Sequence, residues 1–212
     1  MSIKIFTFNP VQEHTFVLYD DTKECVIVDP GCFFPEEKKE LMNFIKDNNL
    51  VVKKIINTHL HFDHTFGLNY LADELGFKTE AHQGDEYLLT QLPNQYIAFG
   101  FGEYTEPIPQ IGKYLTEDDT IKFGNQILKI FHVPGHSPGS IVFYNEAEKY
   151  AVVGDVLFSG SIGRTDLPGG DMNQLLNGIR TKLFSLPDDT VIYPGHGPAT
   201  TIGKEKQTNP FF

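Results

Sequence analysis

Thr58-His59-Leu60-His61-Phe62-Asp63-His64 follows directly on residues 51–57, an apolar and β-branched run that reads as a strand. Imidazole and carboxylate groups are good ligands for zinc, iron and manganese, and here four of them fall within six residues. His59 and His61, two apart on an extended segment, are placed to point the same way. Asp63 and His64 lie where the chain turns into a helix expected over 68–75 and ended by Gly76. One loop at the end of a strand can therefore feed two neighbouring metals. A single histidine near a turn is ordinarily structural or solvated; four metal-type side chains in the order His-x-His-x-Asp-His call for a different explanation.

Outward from this loop the same grammar recurs. His136 stands in Pro134-Gly135-His136-Ser137-Pro138-Gly139, Asp155 in Gly154-Asp155, and His196 in Pro194-Gly195-His196-Gly197. Each comes after an apolar strand candidate (residues 127–133, 150–153 and 191–193), and each has Gly or Pro neighbours that let the loop turn tightly. Further strands are expected at 16–19, 26–28, 77–82, 120–123 and 141–144, and helices at 35–48, 85–92 and 172–183, with 93–112 read as an irregular insertion. Leu41, Phe44 and Ile45 give the helix at 35–48 its apolar face, and Glu36 and Glu37 suit its positive end. Strands alternating with helices, together with hairpin signals such as Phe123-Gly124-Asn125, predict an α/β fold of mixed sheets covered by helices. No repeat or low-complexity tract divides the chain, so residues 1–212 are expected to form one domain.

Composition excludes several classes of function. A net charge of −11, with no run of Lys or Arg, argues against nucleic acid as a partner. A small anionic substrate is still compatible, because a local cluster of metal and arginine sets the potential at a site. No stretch approaches the roughly 20 apolar residues of a membrane span, and the first six residues lack the basic-then-apolar order of a secretory signal. Cys25 and Cys32 match no zinc or redox spacing and read as ordinary reduced thiols. A cytoplasmic location is the expectation, with no membrane partner and the oligomeric state left open.

The His-x-His-x-Asp-His loop, His136, Asp155 and His196 together resemble the metallo-β-lactamase superfamily, and the match runs from Val26-Ile27-Val28-Asp29-Pro30-Gly31 to the C-terminus. The resemblance implies an αββα sandwich of two mixed sheets flanked by helices. It also implies two divalent metal ions, with zinc expected and iron or manganese served by the same ligands. By that likeness His59, His61 and His136 hold the first metal, Asp63, His64 and His196 the second, and Asp155 bridges them. Two such cations lower the pKa of shared water and polarise a carbonyl, and Asp63 is placed to orient that water or accept its proton. The stretch from Leu157 to Asp171, including Gly163-Arg164-Thr165-Asp166, and the ending from Thr200 to Phe211 resemble short glyoxalase II-like hydrolases. That likeness implies a small-molecule thioester substrate of the S-acylglutathione type, with Arg164 as the counterpart of a residue that binds a glutathione carboxylate. The C-terminal helical domain of the longer glyoxalase II enzymes has no room here.

A second reading keeps the fold and changes the chemistry to a mononuclear iron persulfide dioxygenase, using His59, His136 and Asp155. The zinc β-lactamases usually have cysteine where Asp155 stands, and flavodiiron-type oxidoreductases have glutamate in place of His61. A non-catalytic binding module predicts decay of at least one ligand, and none is missing. His14, His82 and His132 fall outside the pattern and read as structural or supporting residues, as does Asp29. Arg164 is equally placed for an ion pair with Asp166 or Asp171, and the aromatic run 96–101 for either core or a pocket wall.

Overall fold

In the computed structural model, which describes Met1–Phe212, period-two alternation gives the central strands two buried faces. The first sheet takes its strands in chain order: β1 (Ser2–Phe8), β2 (Glu13–Tyr19), β3 (Glu24–Val28), β4 (Val51–Ile56), β5 (Thr79–Ala81) and β6 (Ile111–Tyr114). Its first three strands are antiparallel and its last four run parallel. The second sheet uses β7 (Thr120–Phe123), β8 (Gln126–His132), β9 (Ile141–Asn145), β10 (Tyr150–Gly154), β13 (Val191–Pro194) and β14 (Thr200–Thr201), in the order β14-β13-β10-β9-β8-β7. Only its β10–β13 pair is parallel. A short hairpin of β11 (Leu157–Phe158) and β12 (Ser161–Ile162) stands apart.

Phe16, Leu18, Val26 and Val28 of the first sheet meet Ile130, Phe143 and Val152 of the second in one buried cluster. The residues between them in sequence point outward: Val17 and Ile27 pack with Leu41 and Ile45 of α1 (Pro35–Asp47) and with Leu68 and Leu71 of α2 (Leu68–Leu75). On the far side, Val142 and Val153 pack with Leu175 of α5 (Met172–Gly178) and Ile202 of α6 (Ile202–Thr208). Helix, sheet, sheet, helix is the αββα order expected.

Residues 93–112 are more regular than the sequence suggests. The helix expected over 85–92 is short, α3 (Glu86–Thr90), and a second one, α4 (Leu92–Ala98), follows it, with β6 closing the insertion. Pro93 reads as a breaker but sits in the first turn of α4, where its missing N–H has no intrahelical partner to lose. Strand β6 is an edge strand with no buried residue, so it lacks the alternation that marks a strand. The helix expected over 172–183 ends as α5 at Gly178 and continues as a π turn over Ile179–Leu183.

Candidate metal centre

Four loops converge at one rim of the sandwich. They follow the C-terminal ends of β4, β8, β10 and β13. Strands β8 and β10 are both antiparallel to β9, and β10 is parallel to β13, so these three ends of the second sheet lie on the same side. Topology thus gathers His59–His64, His136, Asp155 and His196 from positions up to 137 residues apart (196 − 59). Close approach at the rim demands glycine: a Cβ on Gly195 would overlap Asp155 Oδ1 and lie 2.7 Å from His64 Cε1. Gly154, just before Asp155, has φ +51°, which glycine adopts without strain.

All seven side chains expected as ligands are brought together. His61 Nδ1 lies 2.9 Å from His136 Nε2, which lies 3.3 Å from His59 Nε2. Asp63 Oδ2 lies 3.1 Å from His196 Nε2 and 3.7 Å from His64 Nε2. Asp155 sits between the sets: Oδ1 is 3.7 Å from His64 Nε2, and Oδ2 is 3.7 Å from both His136 Nε2 and His196 Nε2. His59 with His61 and His136, and Asp63 with His64 and His196, each present their donor atoms within 4.8 Å of one another.

This donor set fits metal ions. His64 Nε2 and Asp155 Oδ1 are buried and make no hydrogen bond. Converging lone pairs removed from water are costly unless a donor or a cation satisfies them. Burial lowers the pKa of His59 far below its ordinary value and that of His61 to about 3, which keeps both imidazoles neutral as metal ligation requires. Burial also opposes charge on His64 and His196, but Asp63, Asp155 and, for His64, Asp29 outweigh it and raise both pKa values. A positive charge is thus favoured at this end of the cluster, and a metal ion is one way to supply it.

The outward-facing ring nitrogens are held as well. His59 Nδ1 meets Thr58 Oγ1 at 3.1 Å, His64 Nδ1 meets Asp29 Oδ2 at 3.2 Å, His136 Nδ1 donates to the Arg164 carbonyl at 2.8 Å, and His196 Nδ1 to the Val11 carbonyl at 3.1 Å. Such partners fix the tautomer and orientation of a ligating imidazole. Asp29 takes the supporting place expected of it, accepting from both the N–H and the hydroxyl of Thr58 at 2.6 Å.

Two buried acids escape the sequence reading. Asp85 accepts from Leu60 N–H (3.1 Å), Ser137 hydroxyl (2.7 Å) and Gly139 N–H (2.6 Å), so it clamps the His59–His64 loop to the His136 loop. Glu13 is fully buried behind His64, with one oxygen accepting from Thr15 and the other 3.8 Å from His64 Nδ1; burial raises its pKa well above the usual range. Only Asp85's place at a helix start is visible in sequence. His14 bonds the Pro194 carbonyl, and His82 stacks on His132, whose Nε2 bonds the Pro138 carbonyl; all three are supporting residues.

Arg164 lines the cavity of about 190 Å³ over the cluster, together with Asp63, His136 and Phe99. Its guanidinium also forms a two-pronged ion pair with Asp166, both bonds 2.7 Å. Of the two sequence readings of Arg164, the ion pair with Asp166 is formed, and its place on the cavity wall leaves it accessible to a ligand there. The aromatic run divides too: Tyr96 and Phe101 pack with Phe66, while Phe99 stacks on Phe62 and remains 43% exposed at the cavity.

The sequence profile of the Metallo-beta-lactamase superfamily matches residues 9–196. The hydroxyacylglutathione hydrolase GloC of Haemophilus influenzae is 38% identical over 100% of this chain and 98% of its own length. Two solved structures are also similar along the whole chain. A protein described as the BLEG-1 B3 metallo-beta-lactamase superposes with a TM-score of 0.90 at 37% identity, covering 99% of both chains. TTHA1623, solved in a di-iron-bound form, gives 0.86 at 35% identity, covering 99% of this chain and 100% of its own.

Proposed function

The chain belongs to the metallo-beta-lactamase superfamily, and from its site we propose that it is a glyoxalase II-like thioesterase, cleaving S-acylglutathione-type thioesters to a carboxylic acid and a thiol. Membership of this family and the GloC relative, named as a hydroxyacylglutathione hydrolase, support metal-dependent hydrolysis. The observation that carries the finer reading is the convergence of two complete donor sets around Asp155, beside a relative named for thioester hydrolysis along its full length.

In this reading His59, His61 and His136 would hold one divalent ion and Asp63, His64 and His196 the other, with Asp155 available to both. Bound metals supply Lewis acidity and lower the pKa of water toward ~7. Asp63, kept ionised by His64 and His196 against its burial, would orient the attacking water by accepting a hydrogen bond from it. Arg164 faces an anionic part of the thiol half, exchanging its exposed pair with Asp166 for the substrate. The cavity wall of Phe62 and Phe99 limits water around the thioester.

Metal analysis of protein purified without added metal, run beside assays of S-lactoylglutathione hydrolysis and of oxygen uptake with glutathione persulfide, tests this. About two metals per chain with thioester cleavage supports it. One iron per chain with oxygen uptake replaces it by a persulfide dioxygenase. A β-lactam belongs in the same panel because of the 37% identical structure; its exclusive hydrolysis also defeats the proposal.

A further inference from the structure

A second cavity, of about 470 Å³, adjoins the metal centre and falls within the range of roughly 300–1,000 Å³ usual for small-molecule sites. His61, Gln95, Phe99 and Leu167 line both cavities, so the larger one is a continuation of the reaction site. Its walls are the α3–α4 pair on one side and Leu167-Pro168 on the other, tied together where the Tyr87 hydroxyl donates to the Pro168 carbonyl at 2.8 Å.

The chemistry of this lining is one-sided. No Lys, Arg, Asp or Glu contributes to it. Three uncharged amide side chains do, of which Gln95 is engaged at both its oxygen and its nitrogen. Gln95 accepts from Phe62 N–H at 3.2 Å and donates to the Leu88 carbonyl at 3.0 Å, and Asn94 donates to Gln91 Oε1 at 2.9 Å. Leu88, Ala98, Phe99, Leu167 and Pro168 supply apolar surface, with the Tyr87 ring beside them and His61 at the metal end. Away from the metal end marked by His61, an anionic group would meet no cation here, which is costly, whereas an apolar chain would gain by leaving water. The one arginine of the site, Arg164, lines the smaller cavity and not the larger.

We infer that the larger cavity receives the acyl half of the substrate and that this acyl group is uncharged and apolar, while the thiol half lies toward Arg164. The assignment rests on the thioesterase reading and names the substrate class for it. It selects hexanoyl-like over acetyl-like or dicarboxylic acyl groups.

The test uses thioesters of one uncharged thiol, N-acetylcysteamine, carrying acetyl, hexanoyl or succinyl groups, with kcat/KM measured for each on the metal-loaded full chain. From acetyl to hexanoyl the value rises about tenfold or more, and the succinyl ester falls below the hexanoyl one. Ala98→Trp fills the cavity and cuts the hexanoyl-to-acetyl ratio about tenfold, while Asn94→Lys introduces a cation and raises the succinyl-to-hexanoyl ratio by a similar factor. The gain with Asn94→Lys is an outcome that misfolding cannot produce. A flat chain-length profile, or equal losses for all acyl groups in Ala98→Trp, overturns the inference while the thioesterase reading stands. Calorimetric titration with the uncleavable 2-oxooctyl thioether of the same thiol gives a readout that does not need turnover. If no thioester is cleaved, the thioesterase reading fails and the acyl assignment with it, while weaker thioether binding by Ala98→Trp than by the unsubstituted chain still upholds the cavity as a site for an apolar chain; equal binding overturns that too.

Discussion

Asp155 reaches both donor sets with one carboxylate, and its Oδ1 has no other partner. Asp155→Ala is therefore expected to lose metal and most activity together, read by metal analysis and thioester turnover; a variant that keeps both refutes the assignment of the site. Asp85 acts at one remove. Its carboxylate accepts three hydrogen bonds from two loops, and Asn in its place has one acceptor oxygen and turns an N–H₂ toward donors. Chelator competition should show metal affinity reduced about 10–100-fold in Asp85→Asn, the scale typical of groups that orient metal ligands. Unchanged affinity would make Asp85 a loop fastener without influence on the metal. The two residues also differ in how visible they are before folding. A ligand shows itself by type and local setting: His, Asp, a strand before it, a glycine beside it. Asp85 and Glu13 show themselves only through partners, since Asp85 binds groups 25 to 54 residues away, and nothing in their own neighbourhoods marks them as buried acids.

At the level of elements, the central strands of the sandwich were legible because β2, β3, β9 and β10 are buried on both faces and bounded by turns. The same burial predicts their energetics. Phe143, fully buried between the sheets, should cost about 3–5 kcal/mol when cut to alanine. Ile127, on the neighbouring strand β8 but 52% exposed, should stay within about ±0.5 kcal/mol. Urea unfolding of Phe143→Ala and Ile127→Ala measures the contrast, and equal losses would contradict the placement of the two faces. Elements at the edge of the sandwich or beyond it were harder to read. Helix α4 buries only Leu92 and leaves Ile97 exposed, and β6 buries nothing, so neither carries the periodicity that burial imposes. These are also the elements that bound the larger cavity or flank the insertion, where sequence answers to a ligand more than to a core.

For the molecule as a whole, metal binding and folding are one equilibrium, because His59, His136, Asp155 and His196 converge only when both sheets and their loops are in place. Free metal at about 1,000 times its Kd adds about 4 kcal/mol to the folded state. For a chain of this size each kcal/mol moves Tm by roughly 2–4 °C, so chelation should lower Tm by roughly 8–16 °C. Cys25 and Cys32 give an independent reading of the same linkage. Both are buried, and burial pushes each thiol up to about 12, so at pH 8 the folded chain offers almost no thiolate to an alkylating reagent. Labelling with iodoacetamide then requires opening of the first sheet, and metal should slow it in parallel with the rise in Tm. Asp155→Ala should abolish the metal dependence of both measurements. If metal leaves Tm and labelling unchanged in the unsubstituted chain, the converging imidazoles and carboxylates are held by protons and hydrogen bonds alone, and the hydrolytic reading loses its metal.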